Sequence, residues 1–139
     1  MKRFERQRLI RFSDCDPAGI VFYPQYFVMF NGLVEDWCKD ALGISFHELL
    51  IERRLGLPTV RLEVDFTAVS RMGDVVTLSL GIERLGQASL TLRLSCDGED
   101  GTQRMAARQV LVLTSLDSHR AIAMPADLRA ALERFVATE

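Results

Sequence analysis

The sequence predicts an α+β fold in which one antiparallel sheet wraps a long apolar helix, with a further helix at the C-terminus. Three patterns carry that expectation. Polar and apolar residues alternate in "RLEVDF", "VVTLSLGI" and "LTLRLSC"; helical periodicity runs through "YFVMFNGLVEDWCKDAL"; and short turns rich in Gly and Asp or other polar residues separate the later alternating segments.

Taken in chain order, "FERQRLIRF" near the N-terminus reads as a strand. The long helix follows, because Tyr26, Phe30, Leu33 or Val34, Trp37 and Ala41 recur at helical spacing. Phe27, Val28 and Met29 make its first turns apolar nearly all round, which suits a helix buried on several sides. Gly32 in its interior costs about 1 kcal/mol relative to alanine, so close backbone packing is expected there. "SFHELLIERR" starts at Ser45 with Glu48 three residues later, the pattern of a capping box on a short second helix. Four strands then meander antiparallel. The first runs from Arg61 to Phe66; the second sets Val76, Leu78, Leu80 and Ile82 on one side; the third does so with Leu90, Leu92, Leu94 and Cys96; the fourth lies in "QRMAARQVLVLTSL". "RLGQAS" and "DGEDGT" supply turns, and "MPADLRAALERF" closes the chain as an amphipathic helix. No repeat or linker interrupts this order, so residues 1–139 are expected to form one domain.

An apolar content of 48% sustains a core, and 17 basic against 19 acidic side chains leave a net charge of −2 with no sustained run of either sign. Nothing in that balance suggests a nucleic-acid or membrane-surface binder. "MKRFERQRLIRF" lacks the continuous apolar region of a signal peptide, and no segment approaches the roughly 18 apolar residues of a membrane span. Cys15, Cys38 and Cys96 are odd in number and widely spaced, which reads as a reduced, cytoplasmic protein. They match no zinc pattern, and His47 and His119 lie far apart, so no metal site is expected.

The densest stretch is "SDCDPAGIVFYPQYF", between the first strand and the long helix. Pro24 falls where a helix begins, since its missing N–H removes nothing the helix would have bonded. Free backbone N–H groups around Tyr23 and Gln25 then attract negative charge and suit an oxyanion hole. The preceding loop supplies Asp14 and Asp16 with Pro17 and Gly19, so a carboxylate folds back beside those donors. A carboxylate and one or two N–H donors suffice for a thioester, whose thiol of pKa about 8.5 departs largely as thiolate; an amide needs an acid as well. Asp-Pro and Ala-Gly are also ordinary turn-forming pairs, and Tyr23 and Tyr26 also suit core aromatics with a polar tip. The residues alone leave both readings open.

"DCDPAGIVFYPQYF" closely resembles the signature of the 4-hydroxybenzoyl-CoA thioesterase family, a branch of the hotdog-fold acyl-CoA thioesterases, and a weaker match in element order runs along nearly the whole chain. The resemblance implies hydrolysis of an acyl-CoA to a free acid and CoA, with no cofactor beyond the CoA of the substrate. It implies Asp16 as the catalytic carboxylate, acting as nucleophile or as general base on water, and the Tyr23 N–H as the donor to the thioester oxygen. Gly19 would let the loop approach the acyl group, with Val21, Phe22 and Asn31 in substrate contact, while Asp14 would brace the loop. It also implies homodimers or homotetramers with sites at subunit interfaces.

Two departures mark this sequence. Asn31 stands where the 4-hydroxybenzoyl enzyme has an aspartate on the long helix, and "ERLGQAS" offers only Arg84 where a basic hairpin cluster holds CoA phosphates. Arg53, Arg54, Arg71 and Arg104 are the other candidates for that grip. Two alternatives compete with hydrolysis. A hotdog hydratase or dehydratase typically uses a loop histidine, and none lies between Asp14 and Tyr26. A non-catalytic acyl-CoA or acyl-carrier-protein binding module would have no need of Asp16.

Overall fold

The computed structural model describes residues 1–137. Its elements are β1 (Phe4–Leu9), α1 (Pro24–Trp37), β2 (Leu55–Gly56), β3 (Thr59–Phe66), β4 (Val75–Leu85), β5 (Ser89–Gly98), β6 (Gln103–Val112), β7 (Thr114–Ser115) and α2 (Ala126–Ala137). The main sheet has five antiparallel strands in the order β1-β4-β5-β6-β3, and β2 pairs with β7 in a small side sheet. This is the α+β arrangement that the residue patterns predict and the hotdog fold that the resemblance implies.

The expected meander holds for β4, β5 and β6. It fails for β3, which joins the opposite edge beside β6, with Leu62 opposite Gln109 and Phe66 opposite Met105. Alternation fixes which face a strand buries but not which neighbour it takes. The inward residues of β4 and β5 follow the expected register, and Leu80, Leu92 and Cys96 are wholly excluded from solvent.

Against that face lies α1, burying Tyr26, Met29, Phe30, Leu33, Val34 and Trp37. The helical run continues as a π-helical turn over Cys38–Leu42 and stops at Gly43, whose φ of 75° only glycine adopts without strain. Ala41 is exposed rather than in the expected stripe. Gly32 also departs from expectation: a Cβ built there would meet no atom within 4 Å, so no neighbour among the described residues packs closely against it. The helix after Ser45 is a π-helical turn, His47–Glu52. Ser45 Oγ accepts the Glu48 N–H at 3.1 Å, as the capping box requires, but the Glu48 carboxylate turns to Arg53 instead of back to the cap. Arg53 also binds Asp127, tying this turn to α2. In α2, Leu128, Ala131, Leu132 and Phe135 face the core, and Phe135 meets Trp37 edge-on at 5.5 Å.

One irregular segment, residues 67–74, ties the start of the chain to the sheet. Gly73 donates to the Ile10 carbonyl and Ile10 to that of Asp74, each at 2.8 Å. Arg104 on β6 donates to the Val69 carbonyl and the Asp74 carboxylate, both at 2.9 Å, and the same Asp74 oxygen accepts the Arg71 N–H at 2.8 Å. The Arg71 N–H first, and then the Arg104 guanidinium, hold the Asp74 carboxyl below its ordinary value.

Two outcomes follow from this packing. Leu92→Ala should lower unfolding free energy by about 2–5 kcal/mol, read from denaturant melts, because Leu92 is fully buried. Because the folded-state pKa of Asp74 is depressed, its stabilisation is present above the ordinary aspartate value of about 3.9 and is lost as pH falls through the lower folded value. The Tm of the wild-type protein should therefore fall more steeply below pH ~4 than that of Asp74→Asn, in parallel pH scans.

Candidate active site

The loop between β1 and α1 is a small closed structure. Asp16 N donates to the Ile20 carbonyl at 3.0 Å, Gly19 N to the Asp16 carbonyl at 2.9 Å and Phe22 N to the Asp14 carbonyl at 2.9 Å. Gly19 has a φ of 76° and open space where a Cβ would stand, so it both makes the turn and leaves its outer side clear. Val21 N donates to the Ser70 carbonyl at 2.9 Å and Met72 N to the Gly19 carbonyl at 3.0 Å, which seat the loop on residues 70–72.

The two acids of the loop are used differently. Asp14 is buried at 3% exposure, and both its oxygens are engaged: Oδ1 accepts from Arg8 at 2.9 Å and Oδ2 from the Arg11 N–H at 2.8 Å. A carboxylate so paired is a brace, since losing either partner would strand a buried charge. Asp16 is half-buried, and its Oδ1 accepts the Ala18 N–H at 2.9 Å, the local bond of an Asp turn. No donor among the described residues engages its other oxygen.

At the start of α1 the N–H groups divide in the same way. Gln25 N donates to the Phe22 carbonyl at 2.8 Å and Tyr26 N to the Tyr23 carbonyl at 3.2 Å. Gln25 is thus not the free donor that its position suggests. Pro24 has no N–H, and the Tyr23 N–H finds no acceptor among the described residues. The helix therefore begins with one unspent donor directly after the loop that carries Asp16.

From this point a groove runs along α1. Leu62, Val64 and Phe66 of β3 share the helix-facing side with Met105, Ala107 and Gln109 of β6, yet Leu62 and Phe66 remain 39% and 50% exposed because α1 leaves this edge uncovered. At one end Phe66 packs beside Tyr23, Tyr26 and Phe27, with ring centroids 5.9–6.5 Å apart. At the other a cavity of about 490 Å³ opens between Asn31, Gly32 and Glu35 on α1, Phe46, and Thr59 and Gln109 on β3 and β6. Gln109 Nε2 donates to Thr59 Oγ1 at 2.8 Å, and its buried Oε1 has no partner among the described residues.

Of the residues expected at the site, Asp16 and Gly19 lie on the loop and Tyr23 at the helix start that directly follows it. Phe22 is exposed beside Tyr23, with ring centroids 5.6 Å apart, while Val21 points into the core at 7% exposure. Asn31 lines the groove two turns along α1. Sequence reasoning missed Ser70 and Gln109, and Arg104, expected as a candidate for the CoA grip, instead holds the Val69 carbonyl and Asp74. Only Gln109 carried a signal, as a polar residue on the inward register of Met105, Ala107 and Leu111. None of the cysteines is poised as a thiolate. Burial pushes the Cys38 and Cys96 thiols up to about 12, and removal from water, then Asp14 and Asp16, raise that of Cys15.

The model of the thioesterase-like superfamily matches residues 10–132. The chain is 30% identical over 128 residues to the 4-hydroxybenzoyl-CoA thioesterase of Pseudomonas sp. (strain CBS-3), covering 87% of this chain and 91% of that protein. It is 29% identical over 132 residues to the 1,4-dihydroxy-2-naphthoyl-CoA hydrolase of Synechocystis sp., covering 95% and 90%. Among solved structures, an aspartate-to-asparagine variant of a 4-hydroxybenzoyl-CoA thioesterase, complexed with 4-hydroxybenzoyl-CoA, superposes with a TM-score of 0.85 at 27% identity, covering 95% of this chain and 99% of that one. A Staphylococcus aureus protein bound to CoA shares the fold at a TM-score of 0.91 and 19% identity, covering 99% of this chain and 86% of that one. With the family model spanning nearly the whole chain and the fold agreeing throughout, the chain belongs to the thioesterase-like superfamily and is a thioester hydrolase of the hotdog fold.

Proposed function

We propose that the protein hydrolyses an acyl-CoA at the junction of the Asp14–Phe22 loop and α1, with Asp16 as the reacting carboxylate and the Tyr23 N–H as the oxyanion donor. The observation that carries this reading is the pairing of one unspent N–H at the helix start with an acid whose second oxygen is open. The positive end of α1 stabilises charge developing on the thioester oxygen, and a backbone donor held in place needs no reorganisation as that charge forms. Asp16 either attacks the carbonyl carbon, giving a mixed anhydride that water then hydrolyses to the free acid and the restored carboxylate, or takes a proton from the attacking water. In both routes the carbon–sulfur bond breaks with the electron pair leaving on CoA sulfur, which needs no protein acid.

The groove supports an aromatic acyl group. Its near end is walled by Tyr23, Phe27 and Phe66, and its far end is polar, with Asn31, Glu35 and the unpartnered Gln109 carbonyl. Asn31 lies eight residues beyond Tyr23, about 12 Å along the helix, so a ring system entering from the thioester reaches toward these groups. Asn31 and Glu35 offer polar groups to a ring hydroxyl at that end. The two relatives named above act on 4-hydroxybenzoyl-CoA and 1,4-dihydroxy-2-naphthoyl-CoA by their names, which agrees with a hydroxylated aryl group. Of the arginines considered for the CoA phosphates, Arg53, Arg54 and Arg104 are engaged by acids. Neither Arg71 nor Arg84 carries an ion pair among the described residues, and the backbone pairing of Arg71 with Ile20 of the loop favours it for the grip.

The same surface supports a homodimer. β3 is an edge strand whose outer side is unpaired, and Val60, Leu62 and Phe66 on it are 60%, 39% and 50% exposed, next to Val28 at 59%. A long apolar edge is an open template for another strand. A second copy pairing there would place its surface over the groove.

Free thiol released from a panel of acyl-CoAs tests the reaction. Hydroxylated aryl thioesters should be turned over faster than aliphatic ones, and binding without release of thiol from any of them would favour the binding-module reading. Asp16→Asn should lower turnover by at least about 10²-fold with unchanged circular dichroism, and near-normal turnover would sink the assignment. Leu62→Asp should shift the mass measured by light scattering from dimer toward monomer; an unchanged mass would remove β3 from the interface.

A further inference from the structure

Asp16 and the Tyr23 N–H stand on different elements, a loop and a helix, and a hydrolytic site needs them held at a fixed separation. The loop is rigid within itself through its own backbone bonds. Phe22 joins the two, its N–H donating to the Asp14 carbonyl and its carbonyl accepting the Gln25 N–H, but these backbone bonds tie them at one residue only.

Ser70 joins both parts. Its backbone carbonyl accepts the Val21 N–H of the loop at 2.9 Å. Its side-chain Oγ accepts the hydroxyl of Tyr26 at 2.9 Å, and Tyr26 stands in the first turn of α1, three residues beyond Tyr23. Ser70 is 1% exposed and Tyr26 4%, so no water competes for either hydroxyl, and the Cys96 thiol supplies a further buried neighbour of the serine. The segment that carries Ser70 is fixed in turn: Arg104 clamps the carbonyl on one side of it, at Val69, and Asp74 on the other. Met72 N then holds the Gly19 carbonyl, so the 19–21 side of the loop is bonded twice to this one segment, and Cys15 on the other side pairs with Val21.

We propose that Ser70 and Tyr26 form a buried hydroxyl latch that positions the Asp16 loop against the start of α1. Both are positioning residues acting through geometry, and the inference rests on the assignment of the reaction to Asp16 and Tyr23. Tyr26→Phe keeps the ring beside Phe66, and Ser70→Ala keeps the backbone bonds of residues 70–72 that flank Arg71. Loss of the hydroxyl pair should therefore be felt more in the chemical step than in substrate affinity. A displacement of about 1 Å at a reacting group costs up to about 10²-fold in rate.

The test compares Tyr26→Phe, Ser70→Ala, the double variant and Ser70→Thr with the wild type, per folded molecule. Each single change should lower kcat about 10-fold with KM within about twofold. The double variant should be no slower than either single one, because the two residues share one interaction. Ser70→Thr, which keeps the hydroxyl, should recover to within about threefold of wild type. Unchanged kcat in both single variants, multiplicative losses in the double one, or no rescue by threonine would overturn the latch. If Ser70→Ala fails to fold, Tyr26→Phe and Ser70→Thr decide. Amide hydrogen exchange provides a readout independent of turnover: the Val21 and Met72 amides should exchange faster in Tyr26→Phe, and unchanged exchange would overturn the proposal. Were the wild-type protein to hydrolyse no acyl-CoA, the reaction assignment would fail, and the exchange result would still decide the latch.

Discussion

Burial of the apolar face of α1 against one side of the main sheet is the constraint on which the rest of the molecule depends. Tyr26, Met29, Phe30, Leu33, Val34 and Trp37 leave water together, and the inward leucines of β4 and β5 receive them. Each Å² of apolar surface removed from water contributes ~25 cal/mol, so this shared burial is a large part of what holds the core together. The strand register, the position of α2 against Trp37 and the stop at Gly43 are all arranged around it.

That same packing generates the groove. Five strands at ~4.8 Å spacing span about 19 Å between the edge strands, whereas a helix with its side chains is about 10 Å across. One helix therefore cannot cover the sheet. α1 packs nearest β4 and β1, which leaves β3 with its helix-facing residues partly bare at the other edge. The groove is the uncovered remainder of a sheet wider than its helix. Its polar end arises where Gln109 sits in an otherwise apolar register beside Thr59.

The chemistry gathers at one end of α1 for a related reason. A helix start exposes N–H groups that the helix cannot use, and Pro24 removes one of them while the preceding turn consumes those of Gln25 and Tyr26. What remains is a single backbone donor at Tyr23. Asp14 gives both oxygens to Arg8 and the Arg11 N–H and so becomes structural, while Asp16 gives one oxygen to its own turn and keeps the other. A turn role and a reactive role are thus not exclusive for Asp16, because a carboxylate has two oxygens.

The sequence by itself determined the kind of elements and the site's local parts. Alternation reveals inward faces, helical spacing reveals α1, and Asp16, Gly19, Tyr23 and Pro24 lie within nine residues, where local geometry governs. Only the tertiary structure decided that β3 crosses to the far edge, that Gly32 faces open space, that Val21 turns inward, and that Ser70 and Tyr26, 44 residues apart, meet. The reason is physical: periodicity records which side of an element avoids water, but a neighbour across the sheet or a buried hydroxyl partner is chosen by packing between distant segments, and those contacts leave no period in the chain.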